Sequence, residues 1–160
     1  MTDTKKETPA ERAAVLREKV LRDASPCPIR EKVRLVNALL LAGEPGNITK
    51  DQKGYTGYSP QPTIDAVNRI FAYGEWWFNV LECDLTPAKE GDKSVLAIAH
   101  VEVVLQLDGE KTHTVSAYGE GRQPLASPGD ALKSAQTDAL KKALSYLSVG
   151  QRAYCGLLNK

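Results

Sequence analysis

A chain of 160 residues with 42% hydrophobic and 26% charged side chains has the composition of a globular domain able to bury a core, and its net charge of +1 announces no polyanionic partner. Cys27, Cys83 and Cys155 are odd in number and widely spaced, which argues against a CxxC zinc site or a disulfide framework and fits a reducing interior. The polar residues 1–7 hold no apolar signal core and no stretch has the length of a membrane span, so a cytoplasmic protein without membrane contact is expected.

In chain order, residues 1–7 read as a disordered tail and residues 8–160 as one domain. Thr8, Pro9 and Glu11 offer a capping box for a helix running to about residue 22, with Ala13, Leu16, Val20 and Leu21 as its apolar stripe. After the Pro26-Cys27-Pro28 break, Val33, Val36 and Leu40 predict a second helix over 29–41, ending near Gly43 and Pro45. Residues 47–50 and 55–58 read as the two short strands of a hairpin. Thr63 is the expected cap of a third helix carrying Ile64, Val67, Ile70 and Phe71 and ending at Tyr73-Gly74.

Three strands are expected next, over 76–85, 94–107 and 111–118. The second alternates Val95, Ala97, Ala99, Val101, Val103, Leu105 and Leu107 with mixed residues, and Asp108-Gly109 is a hairpin turn signal. Trp76 and Trp77 then face opposite ways, one toward the core and one toward the surface. Gly119-Glu120-Gly121-Arg122 and a loop containing Pro124 and Pro128 lead to a last helix over 130–144. Sequential hairpins require an antiparallel sheet, and the last helix must cover its apolar face. The expected fold class is α+β, a three-stranded β-β-β-α core with a β-hairpin and N-terminal helices.

The last helix sorts into two faces. Leu132, Ala135, Ala139, Leu140, Ala143 and Leu144 form a small-residue face suited to close packing on a sheet. Thr137, Lys141 and Ser145 run down the other side, with Lys133 and Lys142 at the borders and Asp138 spaced to pair with Lys142. From residue 111 onward there are seven cations against three carboxylates, whereas residues 81–110 carry seven carboxylates against two lysines. A local basic surface is therefore compatible with the near-neutral total. Tyr55 and Tyr58, flanked by Lys50 and Lys53, suit either a base-stacking ribbon or simple packing of the hairpin. No glycine-rich phosphate loop, nucleophile context or paired carboxylates occur, and His100 reads as a strand-face residue, so neither an enzyme nor a metal or cofactor site is expected.

The run Gly119-Glu120-Gly121 followed by Thr137-Asp138-Ala139-Leu140-Lys141-Lys142-Ala143-Leu144 resembles the signature of the RAD-fifty-two superfamily of single-strand annealing proteins, of a phage or bacterial type. There, a helix of the form T-D-x-L-K-[KR]-A-L and a glycine-containing turn close a β-β-β-α core. Residues 64–77, with Phe71, Gly74 and Trp76-Trp77, are similar to the family's N-x-x-F-G-x-x-x-W element, and residues 93–109 to its second core strand and turn. The resemblance covers about 54–156.

The resemblance implies a DNA-binding module that assembles into rings or helical filaments and anneals complementary strands in recombination and repair, without hydrolysing nucleotides. The family's paired basic residues fall on Lys141 and Lys142, its cation in the loop before the helix on Arg122, and that at the second core strand on Lys93. The hairpin aromatic falls on or near Tyr58, and the hairpin cation on Lys50 or Lys53. Lys133 and Arg152 complete the candidate DNA contacts, while Ser145 stands where the family has a further arginine. The implied partners are single-stranded DNA, with duplex DNA or RNA as alternatives, further copies of the chain, and a recombinase or single-strand-binding protein. Rival readings are a coating or end-protecting protein that does not anneal, and an oligomeric interaction module that binds no nucleic acid.

Overall fold

The structure, a computed structural model, describes residues 28–44, 46–50, 56–87, 90–106, 112–154 and 158. The expected tail, the helix over 8–22, the Asp108-Gly109 turn, Tyr55 and Lys53 lie outside them. The chain divides into two compact units, residues 1–31 and 32–160, and only the opening turn of the first helix is described in the former.

Helix α1, Pro28–Ala42, buries Val33, Val36 and Leu40 along one stripe. Strands β1, Ile48–Lys50, and β2, Thr56–Tyr58, form the expected antiparallel hairpin, with Ile48 opposite Tyr58 and Lys50 opposite Thr56. Helix α2, Pro60–Ile70, begins three residues before the expected cap at Thr63. Extended Ser59 is the N-cap, and the fixed φ of Pro60 suits the first helical turn. Thr63 is instead buried inside that turn and donates its Oγ1 proton to the Ser59 carbonyl at 2.9 Å. The helix also stops earlier than expected, because Phe71 turns extended, and Gly74 takes its positive φ of 83° in the turn that follows.

Strands β3, Trp76–Thr86, β4, Ser94–Gln106, and β5, Thr112–Pro124, form one antiparallel sheet in the order β3-β4-β5. A register shift between Val80 and Glu82 bulges β3 at Leu81. Helix α3, Pro128–Tyr146, lies across β5 and β4 and reaches β3 less, and a short α4, Gln151–Tyr154, follows it. The fold is α+β, with the three-stranded antiparallel sheet and the separate two-stranded hairpin.

The sheet–helix core is built almost wholly from small and β-branched residues. Val95, Ala97, Ala99, Val101, Val103 and Leu105 of β4 are buried against Ala131, Ala135, Ala139 and Ala143 of α3. This close approach explains why β5 runs six residues beyond its expected end. Glycines inside a strand usually read as a turn, but Gly119 and Gly121 lie directly beneath α3. A Cβ on Gly119 would overlap the backbone of Ala135 and Ala139, and one on Gly121 the backbone of Ala131 and Ala135. Arg122 consequently belongs to a strand and not to a loop. The tryptophans also differ from expectation. Trp77 is exposed, but Trp76 is half-buried at the sheet margin, donating its Nε1 proton to Asn68 Oδ1 at 3.1 Å.

Candidate nucleic-acid interface

The polar flank of α3 does not simply face solvent. Across from it stand the N-terminal turn of α2 and the hairpin. A groove of about 700 Å³ is lined by Pro60, Gln61 and Ile64 of α2, by Glu120 and Gln123 of β5, and by Asp130, Lys133, Ser134, Thr137, Asp138 and Lys141 of α3. At Lys141 it meets a cavity of about 390 Å³ lined by Thr56, Gly57 and Tyr58 of the hairpin, Thr63, and Val149, Gly150 and Ala153 beyond α3. Lys141 is thus the residue shared by groove and cavity. The positive end of the α2 dipole lies at the groove wall formed by Pro60 and Gln61.

The two adjacent lysines have different surroundings. Lys141 is half-buried, and the loss of hydration holds its ammonium below the usual lysine range, partly offset by the Asp138 carboxylate. Lys142 forms the i, i+4 ion pair expected from the spacing, its Nζ 2.8 Å from Asp138 Oδ2. The same oxygen accepts the Glu120 backbone N–H of β5 at 3.1 Å. Lys133 is exposed at the other end of the groove. The hydroxyls of the polar face turn back onto their own helix, Thr137 Oγ1 donating to Lys133 O at 2.7 Å and Ser145 Oγ to Lys142 O at 2.6 Å.

Tyr58 is only 4% exposed, so its ring packs the hairpin down and is not presented for stacking. Its hydroxyl donates to Glu44 Oε1, and burial together with that bond pushes its pKa up to about 12. Arg152 Nε lies 3.7 Å from the same carboxylate oxygen. Glu44 at the end of α1 thereby ties hairpin and α4 together. Nearby, Asn37 of α1 accepts the Gly150 N–H at 2.7 Å and donates to the Ser148 carbonyl at 2.9 Å, which fixes the turn after α3. Lys50 is exposed at the end of β1.

Lys141 and Lys133 are therefore gathered along one groove, which adjoins the cavity lined by Tyr58, with Lys142 beside it. Arg122 and Lys93 are not. Alternation along β5 sends Gln123 to the α3 side, where it lines the groove, and Arg122 to the opposite side of the sheet. There its Nη1 is 3.5 Å from Ser94 Oγ, next in sequence to the exposed Lys93. Reading the sequence missed the groove wall contributed by Gln61 and Ile64, since nothing in the spacing of 60–64 shows which helix it faces. It also missed that Asp130, Asp138 and the Glu120 segment enter the same groove as the lysines.

Residues 49–155, from β1 to just past α4, match the family model for the Rad52/22 family double-strand break repair protein. No curated protein is similar enough to the chain to match it.

Proposed function

The chain belongs to the Rad52/22 family of double-strand break repair proteins, and from that membership we propose that it binds single-stranded DNA along the α3 groove and anneals complementary strands. Proteins of this family act in DNA repair and recombination by annealing strands, not by hydrolysis. Annealing makes and breaks no covalent bond, so the groove has only to neutralise phosphates and leave bases free to pair.

The observation that carries this reading is the placement of Lys141 where groove and cavity meet, with Lys133 eight residues upstream on the same wall. Eight residues of α-helix span about 12 Å, so the two ammoniums can address different phosphates of one strand. Contacts of this kind ignore base sequence and weaken with salt. Lys50 flanks the track from the hairpin, and Lys142 joins it once freed from Asp138. Repetition of the groove in a ring or filament of identical copies supplies the length of track that one copy of net charge +1 lacks. The exposed Phe78, Val80 and Leu85, which share one face of the edge strand β3, offer an apolar surface for that association.

The reading is tested by following duplex formation between two complementary oligonucleotides with and without the protein. Acceleration that is lost in a folded Lys133→Ala, Lys141→Ala double variant supports it. Slowed pairing instead points to a protein that only coats single strands.

A further inference from the structure

Asp138 sits among the lysines that the proposed function assigns to the phosphate backbone, three residues before Lys141 and five after Lys133, in the wall of the same groove. We propose that Asp138 is a positioning residue that holds the Lys142 ammonium away from a bound strand, so that a phosphate engages Lys142 only by displacing it from the carboxylate. This inference rests on the reading of the groove as a DNA track.

Three features carry it. The carboxylate already does what a phosphate would do there, since one oxygen accepts both an ammonium proton and a backbone amide proton. It is anchored independently of Lys142, because the Glu120 N–H of β5 holds it against the strand. When Lys142 swings out, Asp138 therefore stays. Finally, the pair is open to water, with the two side chains 45% and 37% exposed, and exposed pairs of this kind exchange readily because each is worth only about 0.2–1 kcal/mol. Lys141, by contrast, makes no salt bridge among the described residues and is ready for an anion without any exchange. The groove thus has one cation available at once and one held in reserve. A strand bound this way is gripped by contacts that can be given back, which suits a protein that must pass its strand into a duplex.

The experiment is a four-way cycle of single-stranded DNA affinities for the wild type, Asp138→Asn, Lys142→Ala and the double variant, each measured over a range of salt. In the wild type, Lys142→Ala weakens binding less than about twofold, because the lysine is engaged elsewhere. Asp138→Asn, which keeps an oxygen for the Glu120 N–H but removes the charge, tightens binding roughly threefold. It also steepens the dependence of log affinity on log salt by about 0.7, the share of one added phosphate contact on a single strand. Adding Lys142→Ala to Asp138→Asn abolishes both gains. An equal cost of Lys142→Ala in the two backgrounds, or weaker binding by a folded Asp138→Asn protein, overturns the proposal.

Asp138→Ala separates a structural role from this one. Having lost the bond to β5 as well, it unfolds at a lower temperature than Asp138→Asn but shares its steeper salt dependence. A lower unfolding temperature without the steeper slope overturns the proposal. A wild type that binds no single-stranded DNA refutes the proposed function itself, an outcome distinct from either of these.

Discussion

The two faces of the β3-β4-β5 sheet share one backbone and differ in nearly everything else. The part of one face that α3 covers is a dry layer of alanine, valine and glycine, and the groove with Lys133 and Lys141 runs along the flank of that helix, between β5 and α2. The opposite face carries rows of exposed or half-exposed polar and aromatic side chains. Glu82, His100 and Tyr118 stand in one row, the last two rings stacked with centroids 4.2 Å apart. Asn79 donates to Glu102 at 3.0 Å in the next row, and Asp84, Ile98 and Glu120 form another. Arg122 is the cation among these four carboxylates. Their combined field repels a phosphate backbone. The difference teaches that the charges of a near-neutral chain need not be evenly mixed: four carboxylates share the uncovered face of the sheet with one arginine, while the groove sets Lys133 and Lys141 beside Asp130 and Asp138.

The scaffold is the most sensitive place to break this arrangement. Gly119→Ala drives a methyl group into the α3 backbone and is expected to cost about 3 kcal/mol, seen as a large fall in unfolding temperature together with loss of DNA binding. A smaller effect separates the two faces by pH. The Lys141 pKa is depressed in the free protein, and a bound phosphate raises it again. Affinity for single-stranded DNA is therefore complete below the free-state pKa. It falls as pH rises through that value, and does so before an ordinary surface lysine titrates. Removing Lys141 abolishes that early fall, whereas removing Arg122 leaves it in place.

Tyr58→Phe sharpens the distinction between holding the hairpin and holding DNA. It is expected to lower stability by about 1 kcal/mol at neutral pH while leaving DNA affinity nearly unchanged. The folded-state pKa of Tyr58 lies above its unfolded value of 10.0, so its contribution is fully present below pH 10.0 and is lost as pH rises through about 12. Denaturant titrations across that alkaline range should show the loss in the wild type and not in the variant. The smallest effect is expected for Arg122→Ala, which should weaken single-stranded DNA binding by about twofold or less, since its charge is exposed and sits on the acidic face. A loss as large as that for Lys141 would mean that the strand crosses to the outer face.

The alternation of Val95 to Leu105 and the alanine stripe of the last helix made the sheet and its covering helix legible from sequence, because both follow from backbone periodicity and burial alone. The end of β5 was not legible. Gly119 and Gly121 look like turn residues until α3 is seen lying on them, and the face taken by Arg122 becomes definable only once Arg122 is part of a strand. Spacing within one helix brought out Lys133, Lys141 and the Asp138–Lys142 pair. It gave no sign that α2 and the hairpin close over Lys141, since that depends on packing between elements distant in sequence. For the same reason Tyr58 read equally well as a stacking platform and as a packing residue until its burial against Glu44 was seen.

The most direct test of the α3 groove as the DNA track is a salt titration of single-stranded DNA affinity for the wild type beside a folded Lys141→Ala variant. Loss of one phosphate contact predicts binding weaker by roughly tenfold, in the range of a charge-assisted hydrogen bond, and a log–log salt slope shallower by about 0.7. Unchanged affinity and slope in the folded variant would contradict the account.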